Sequence, residues 1–466
     1  MAFTAVEDLY GYTDYPGYSD GVRYYFIHAL ASYNGTLYLS TGGSGLFDMG
    51  DVRQYNGTFD SAVFHDFGGS PEYLTGTVTS VDGGSPKKIF TDTARTEADG
   101  FFETGTLSWT AGAANAGQGE RTVVTYANDT FTADRDWPNT IQVGDPYQVT
   151  YGAEDVTALY VFSGLLFAGV SHLWVSPGPP SIWAYDGATW SREAVLEGPD
   201  ASGLAIDWGL LSFFEHDGEL YAGTWIQANI TIRIWHRVNN TTWEKAYEQG
   251  AATRNQETMV WAGASDGTTL YTGDTQGGLI TYDGASWTRD TTTFDIDAGT
   301  TATLGLTGFA LHESVIYASG SNYTTPYGVL IYRLVAGTWT LDGTLDLGFV
   351  DPQLEPTHLI SHNGELWCFV QNYGYRRDGG NWTLDTTFPL TAELMHRAVT
   401  HAQRLYVVQG VRDTGAGVGP ALYQYDEIIQ AGFQGSWLWF GRLGATTGIP
   451  VVEDPLRLFP ILGVGL

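Results

Sequence analysis

Histidines are the side chains in this sequence that most directly suggest metal binding or proton transfer. Four of the ten hold the same place in a repeated pattern, directly before a turn and a short apolar strand: His216, His312, His362 and His401. Tyr33, Phe162 and Ser265 hold this place in the other copies. A position that repeats around a ring is spread over its circumference and cannot converge on one ion. These four histidines are therefore predicted to be structural.

A second set of histidines lies on segments predicted to be the innermost strands of the repeats: His28, His358 and His396. Neutral imidazoles are common metal ligands, so these three could form a metal site in a central channel. No ligand spacing typical of a zinc site accompanies them. We predict no bound metal, with these histidines as the residues that would form such a site if one exists.

Acidic loops offer oxygen ligands of the kind that calcium prefers. The richest is the stretch from Asp290 to Asp297, which lacks the EF-hand pattern. It could bind Ca²⁺ weakly, or its carboxylates could simply be solvated turn residues. No cofactor is predicted.

Catalytic signatures are missing from the sequence. There is no P-loop and no motif that groups arginines, and nothing selects a catalytic pair among the 52 acidic residues. Turns such as Asp186-Gly187 keep aspartate and glycine adjacent, as two-residue hairpin turns prefer. The Asp-box of sialidase-like propellers separates them by one residue. The aspartates are therefore predicted to form turns, and the protein is predicted not to be an enzyme.

The elements that carry these residues are repeated β-hairpins. A turn followed by an apolar strand with an aromatic, as in Asp217 to Tyr221, occurs seven times, and a second turn follows each copy. From Phe167 onward the aromatic recurs at a period of about 40 to 54 residues, which gives four strands per period. Such units are typical of a β-propeller, whose sheets bury each other's faces. The sequence predicts an all-β, seven-bladed β-propeller.

Spacing between the first two copies predicts an insertion. The predicted domains are an N-terminal strand with blade 1 (1–73), an inserted small β-barrel or sandwich module between blades 1 and 2 (74–152), blades 2 to 7 (153–431) and an apolar C-terminal docking tail (432–466). The seventh copy lacks its closing tryptophan strand. A strand between Thr4 and Tyr10 is expected to fill that place.

The insert carries a linked series of short motifs: Phe90-Thr91-Asp92, Gly105-Thr106-Leu107-Ser108-Trp109, Asn115-Ala116-Gly117, Trp137-Pro138 and Val143-Gly144-Asp145. In this order they resemble a small β module that recurs in tail proteins of tailed bacterial viruses and gene transfer agents. The resemblance covers less than a fifth of the chain. It implies a virion part on the tail or another surface appendage, and it identifies no partner and no chemistry.

The C-terminal tail fits no repeat and is rich in apolar side chains: Trp437, Trp439, Phe440, Leu458, Phe459, Ile461 and Leu462. Burying a Leu or Phe side chain fully is worth roughly 1.5 to 3 kcal/mol. The tail should therefore pack on its own propeller or dock on another subunit. These seven residues are the predicted assembly contacts.

Composition limits the partners. The formal net charge is −31, and this acidity repels the phosphates of nucleic acids. Arginine largely replaces lysine, which suits a protein that works in high salt, although a biased genome composition would look the same. We find no signal peptide and no apolar run long enough to insert into a membrane. Cys368 is the single cysteine, so no intrachain disulfide forms.

These inferences predict a virion protein of a tailed virus, located at the tail tip, in a fibre or in another surface appendage. It would act in host attachment, with other virion proteins, further copies of itself and a host-surface glycan or protein as partners. Two alternatives stay open. One is a glycan-binding or glycan-hydrolysing propeller with a deep pocket at the channel mouth. The other is a purely structural assembly protein, such as a nozzle, collar or head spike.

Overall fold

The computed structural model describes residues 2–8, 24–26, 29–44, 51–55, 65–66, 72–95, 102, 106–118, 121–151, 155–171, 180–196, 206–227, 231–239, 242–250, 258–275, 277–294, 305–322, 328–347, 357–370, 373–386, 396–409, 411–412 and 421–426. All regular elements among these residues are β-strands, which confirms the all-β prediction. Within the same ranges, no helix has the length and hydropathy of a membrane span.

The strands of the first third of the chain are β1 (Ala2–Asp8), β2 (Tyr24–Phe26), β3 (Leu30–Tyr33), β4 (Thr36–Ser44), β5 (Asp51–Tyr55), β6 (His65–Asp66), β7 (Glu72–Thr77), β8 (Ser80–Val81), β9 (Ile89–Thr91), β10 (Thr106–Trp109), β11 (Arg121–Ala127), β12 (Thr130–Ala133) and β13 (Pro146–Tyr151). The next strands are β14 (Asp155–Phe162), β15 (Leu165–Ser171), β16 (Ser181–Tyr185), β17 (Trp190–Val195), β18 (Ile206–His216), β19 (Glu219–Gln227), β20 (Thr231–Asn239), β21 (Thr242–Gly250), β22 (Thr258–Met259), β23 (Gly263–Ser265), β24 (Leu270–Gly273), β25 (Leu279–Tyr282) and β26 (Trp287–Asp290). The last are β27 (Gly305–His312), β28 (Val315–Asn322), β29 (Gly328–Val335), β30 (Thr338–Asp346), β31 (Thr357–His362), β32 (Glu365–Val370), β33 (Tyr373–Asp378), β34 (Asn381–Leu384), β35 (His396–His401), β36 (Arg404–Gln409), β37 (Val411–Arg412) and β38 (Ala421–Asp426).

Each repeat of the sequence forms one antiparallel sheet, and we number these sheets 1 to 7 in chain order. Sheet 1 contains β2 to β6 with β37 at its edge, and sheets 2 to 6 begin with β14, β18, β23, β27 and β31. Sheet 7 has the order β1-β38-β36-β35. The N-terminal strand thus supplies the fourth strand of the last sheet, with Ala2 opposite Asp426 and Asp8 opposite Ala421.

Consecutive sheets contact each other through their first strands, from β3 and β4 against β14 to β31 against β35. The last sheet also contacts the first, because β35 lies against β3. Four-stranded sheets that are packed face to face around a closed ring are the arrangement of a β-propeller.

Small residues allow neighbouring sheets to approach closely near their first strands. Ser212 of sheet 3 donates a hydrogen bond to the carbonyl of Val260 at 2.9 Å, next to sheet 4. Gly223 faces the same contact. A Cβ atom on Gly223 would lie 2.6 Å from Val260 Cγ1 and 2.7 Å from its carbonyl oxygen. The contact between sheets therefore requires a glycine at position 223, in the middle of β19.

The four repeated histidines also join neighbouring sheets. Their Nδ1 atoms lie at hydrogen-bonding distance from a hydroxyl of the next sheet: His216 to Ser265 at 2.8 Å, His312 to Ser361 at 2.9 Å, His362 to Thr400 at 2.9 Å and His401 to Ser32 at 2.8 Å. The last of these bonds connects sheet 7 with sheet 1. In sheet 1, the Tyr33 hydroxyl does the same by donating to the carbonyl of Gly164 at 3.0 Å. Histidine here acts as a hydrogen-bonding link.

Ser265 does not hold the position in the repeat that the sequence analysis assigned to it. It pairs with Leu270, as Ser361 pairs with Leu366, so it occupies the position one residue before the histidines. The turn has the same length as in repeat 6, because Asp266 faces Thr269 as His362 faces Glu365, but its Asp-Gly dipeptide begins one residue earlier than Asn363-Gly364. Ser265 therefore accepts the link from the previous sheet and does not provide one to the next.

Residues 72–151 form a separate sheet with the order β7-β13-β10-β11-β12-β9-β8. The strands β7 and β8 are consecutive in the chain but lie at opposite ends of this order, so the sheet curls round on itself. Its interior is aromatic: Phe90, Phe102, Trp109, Tyr126, Phe131, Trp137 and Tyr147. Asp92 is buried among them and accepts a hydrogen bond from the Tyr147 hydroxyl at 2.7 Å. Several residues of the motifs found in the sequence are thus core residues of this sheet.

The close approach at Gly223 predicts a large effect of a single methyl group. We expect Gly223→Ala to lower the free energy of unfolding by about 1 to 3 kcal/mol, because the Cβ atom would overlap the Val260 backbone. Gly83→Ala is the matched control, since no atom lies within 4 Å of that Cβ position. Urea unfolding of the two variants measures the difference. Equal effects of both substitutions would contradict the packing argument.

The link between sheets 7 and 1 predicts sensitivity to acid. Burial lowers the pKa of His401 from its model-compound value of 6.5. The unfolded chain therefore binds this proton at a higher pH than the folded chain, and stability falls as the pH drops below about 6.5. His401→Gln keeps a hydrogen-bonding side chain without titrating, so it should lose less stability between roughly pH 7.5 and 5.5. Urea unfolding at the two pH values tests this, and an unchanged pH dependence in the variant would refute it.

Candidate functional site

A polar cleft lies between sheets 5 and 6, beside the hairpin turns of both sheets. Its volume is about 610 Å³, and it is lined by His312, Glu313, Arg333, Gly364, Glu365, Arg377, Asp378, Gly379 and Gly380. The cleft includes three carboxylates and two guanidinium groups. It opens between two neighbouring sheets, whereas the glycan-active alternative predicted a pocket at the channel mouth.

Beneath the cleft, one buried carboxylate is shared by two guanidinium groups. Arg377 donates to Asp342 through Nε at 2.8 Å and Nη2 at 3.1 Å, and Trp382 Nε1 donates at 2.9 Å. Arg333 Nε lies 3.2 Å from Oδ1 of the same carboxylate. Burial alone would raise the pKa of Asp342, but the hydrogen bonds from Arg377 and Trp382 and the two positive charges hold it below its usual value. Asp342 thus has two cationic partners, while Glu313 and Asp378 add negative charge to the lining of the cleft.

Of the two arginines beside Asp342, Arg333 is the one that is more exposed to solvent. Its side chain is 43% exposed, whereas that of Arg377 is only 14% exposed. In a chain with 21 lysines and arginines against 52 acidic residues, an exposed guanidinium at a cleft is unusual.

Glu365 forms another part of the lining. Arg376 Nη1 donates to its Oε1 at 2.8 Å, and the Arg376 guanidinium lies over the Trp367 ring. The second oxygen, Oε2, is buried and has no hydrogen-bond partner among the described residues. An unsatisfied buried acceptor costs about 1 to 3 kcal/mol. A hydroxyl donor in the cleft would remove this cost.

The turn that presents Glu313 has an unfavourable backbone. Glu313 has φ of 48° and Ser314 has φ of 64°, both in the left-handed region that favours glycine. The same turn in four other repeats has glycine at the second position: Asn34-Gly35, Ser163-Gly164, Asp217-Gly218 and Asn363-Gly364. Glu313 and Ser314 therefore hold a strained conformation at the edge of the cleft.

The interface between sheets 2 and 3 has the same framework without the cleft. Arg237 donates to Glu193 at 2.8 and 2.6 Å, and Trp243 Nε1 donates to Glu193 at 3.3 Å. These residues match Arg377, Asp342 and Trp382 in strand register. However, Phe162 and Ala184 take the places of His312 and Arg333. The two interfaces thus share the ion pair, but Phe162 and Ala184 are apolar where His312 and Arg333 are polar. The same two places are also polar in sheet 3, where His216 and His236 hold them.

The predicted metal ligands are only partly described. His358 is paired through Nε2 with the carbonyl of Ala398 at 3.0 Å, so that nitrogen is already used. His28 lies outside the described residues, as does the side chain of His396. Among the residues that the structure describes, no group of three His, Cys, Asp or Glu side chains could hold an ion. The absence of a bound metal, with these three histidines as the candidate ligands, stays a prediction.

Other predicted positions have separate outcomes. Asp290 accepts hydrogen bonds from the side chains and backbone amides of Thr293 and Thr292, which lower its pKa to about 2. It therefore acts as a turn former, while Asp297 lies outside the described ranges and calcium binding stays a prediction. The same holds for the assembly contacts, because the structure does not describe residues 427–466: Trp437, Trp439, Phe440, Leu458, Phe459, Ile461 and Leu462.

Sequence reasoning missed the arginines of the cleft. Arg333 comes from repeat 5, whereas Arg376 and Arg377 come from repeat 6, so no single motif groups them. The signal in the sequence that could have indicated this site was the adjacent pair Arg376 and Arg377 in a chain with few arginines. Only the packing of sheet 5 against sheet 6 brings the three together.

No protein-family model matches the chain, and no curated protein does. Solved structures similar to it include the computationally designed Ika8 protein (9% identity, 88% of this chain and 98% of the other, TM-score 0.40). Two others are the phage phi92 endosialidase (12% identity, 94% and 81%, TM-score 0.34) and the SapL1 lectin in complex with alpha methyl fucoside (12% identity, 79% and 95%, TM-score 0.35). These scores are low, so the propeller assignment rests on the sheet arrangement itself.

The strained turn predicts a stabilising substitution. Left-handed backbone costs a non-glycine residue roughly 1 to 2 kcal/mol, and the extra freedom of glycine in the unfolded chain offsets part of this gain. We expect Ser314→Gly to raise the free energy of unfolding by about 0.5 to 1 kcal/mol. Gln403→Gly is the matched control away from the cleft, since Gln403 also has φ of 64° in the equivalent turn. Urea unfolding should show the same sign for both, and a loss of stability in either would contradict the strain.

Proposed function

We propose that this chain is a virion protein of a tailed virus that attaches to the host surface by binding a glycan between sheets 5 and 6. In this proposal the chain is a seven-bladed propeller (1–73 and 153–431) with an inserted β module (74–152) and a docking tail (432–466). Its location is the tail tip, a fibre or another surface appendage. Its partners are other virion proteins, further copies of itself and the host glycan.

One observation carries the binding role. Between sheets 5 and 6, two guanidinium groups and three carboxylates line one cleft, and one of the guanidinium groups, that of Arg333, is partly exposed. Polar groups that converge on a cleft are a usual sign of a ligand site. Carboxylates and guanidinium groups together supply acceptors and donors for the hydroxyls of a sugar.

We propose that the cleft binds the glycan and does not hydrolyse it. Hydrolysis of a glycosidic bond needs a protonated acid beside the leaving oxygen. The buried carboxylate beneath the cleft, Asp342, has a lowered pKa, accepts hydrogen bonds from Arg377 and Trp382 and lies beside Arg333, so it is a poor proton donor. Glu365 is already paired with Arg376.

The viral location rests on the motifs of the insert and their resemblance to modules of viral tail proteins. Mass spectrometry of purified particles, with electron microscopy of particles labelled by an antibody against this chain, tests it. Label on the tail tip or fibres is the expected result. Label on a ring at a nozzle, collar or head spike would favour a purely structural protein, and absence from particles would overturn the location.

A variant that copies the interface of sheets 2 and 3 tests the binding role. We expect His312→Phe combined with Glu313→Ser and Arg333→Ala to fold normally and to lose at least tenfold in glycan affinity, about 1.4 kcal/mol. Glycan-array binding of the purified full-length protein, followed by titration of the best ligand, measures this. Arg192→Ala is a control for charge, away from the cleft. Wild-type affinity in the triple variant would move the site elsewhere, and release of free sugar would favour a hydrolase.

A further inference from the structure

We propose that the cleft between sheets 5 and 6 recognises a carboxylated sugar, with Arg333 binding the carboxylate and Glu365 accepting a hydroxyl. This assignment rests on the glycan-binding function proposed above and names the class of ligand. It follows from the charges and the hydrogen-bonding groups that the cleft leaves unsatisfied.

The first step concerns charge. Asp342 neutralises one of the two guanidinium groups beside it, and Arg377 takes both of its oxygens in a bidentate pair. Arg333 Nε lies 3.2 Å from the same carboxylate, and its side chain also interacts with the Tyr317 hydroxyl and remains 43% exposed. The guanidinium group has five donors in a planar fork that matches a carboxylate. Arg333 is thus the cation of the cleft that has charge to offer a ligand.

The second step concerns a missing donor. Oε2 of Glu365 is buried without a hydrogen-bond partner among the described residues, while its Oε1 is bound by Arg376. A donor that reaches this oxygen when the Glu365 side chain turns toward the cleft would satisfy it. A sugar hydroxyl does so without adding charge to the buried pair.

The third step limits the charge of the ligand. Glu313 and Asp378 are exposed carboxylates that also line the cleft. They repel ligands with many negative charges, such as nucleic acids or densely sulfated chains. One anionic group near Arg333 and a hydroxyl near Glu365 together describe a sugar acid, such as a uronic acid residue within a glycan.

The test compares the strongest ligand on an array of neutral, carboxylated and sulfated glycans with its own carboxyl-reduced form. For the wild-type protein, we expect reduction of the carboxylate to weaken binding at least tenfold, and added NaCl to weaken only the acidic form. Arg333→Ala should bind both forms with the same weak affinity, because the group that distinguishes them is gone. Arg192→Ala should discriminate as the wild type does.

We expect the Arg333 variants to fold, so that a loss of binding can be attributed to the missing guanidinium group. Alanine at this position has a precedent in Ala184 of sheet 2, and Arg333→Gln provides a second variant that keeps a polar side chain. Both should unfold at the wild-type urea concentration. If the best ligand is neutral or sulfated, or if Arg333→Ala still distinguishes the reduced form, the carboxylate assignment is wrong while glycan binding stands. If the wild type binds no glycan, the proposed function itself fails.

Discussion

The contact between neighbouring sheets is the constraint on which this molecule depends. A four-stranded sheet has two apolar faces, and each face can be buried only by the next sheet of the ring. The first strands therefore come so close that a single Cβ atom at Gly223 would overlap the next backbone. Hydroxyl groups and imidazoles satisfy the polar groups at these contacts, as Ser212 does toward Val260 and His401 toward Ser32. The pairing of β1 with β38 gives the last sheet its outer strand, so the closing sheet is built from both ends of the described chain.

Much of this architecture could be predicted because it is local and repeated. Turn dipeptides such as Asn363-Gly364 fix hairpins, and the aromatic after each turn marks the second strand. Repetition also identified the histidines as structural, since a ring position cannot converge on one ion. The register of repeat 4 could not be predicted, because its Asp-Gly dipeptide begins one residue earlier in a hairpin of the same length, and nothing in the sequence marks the shift.

The cleft was beyond sequence reasoning for a different reason. Its side chains come from two repeats, and they form a cleft only because sheet 5 packs against sheet 6. Within its own repeat, the sequence indicates only that Arg333 is a strand residue and that Glu313 is a turn residue. The sharing of Asp342 by Arg333 and Arg377 is a property of the interface, so no window of sequence contains it. Location in a virion and adaptation to high salt are likewise properties that the packing of side chains does not address.

Because the ring repeats the same kind of interface, two interfaces of one chain can be compared directly. The interface of sheets 2 and 3 shows what the ring needs: a bidentate ion pair between Arg237 and Glu193, with apolar residues around it. The interface of sheets 5 and 6 keeps that pair and adds three features that each cost stability. These are a strained turn at Glu313, an unsatisfied oxygen on Glu365 and a second cation on Asp342. The strained backbone recurs at Ala402 and Gln403 of sheet 7, so it is a property of the hairpin turns, whereas the unsatisfied oxygen and the second cation lie at the cleft where we propose that a glycan binds.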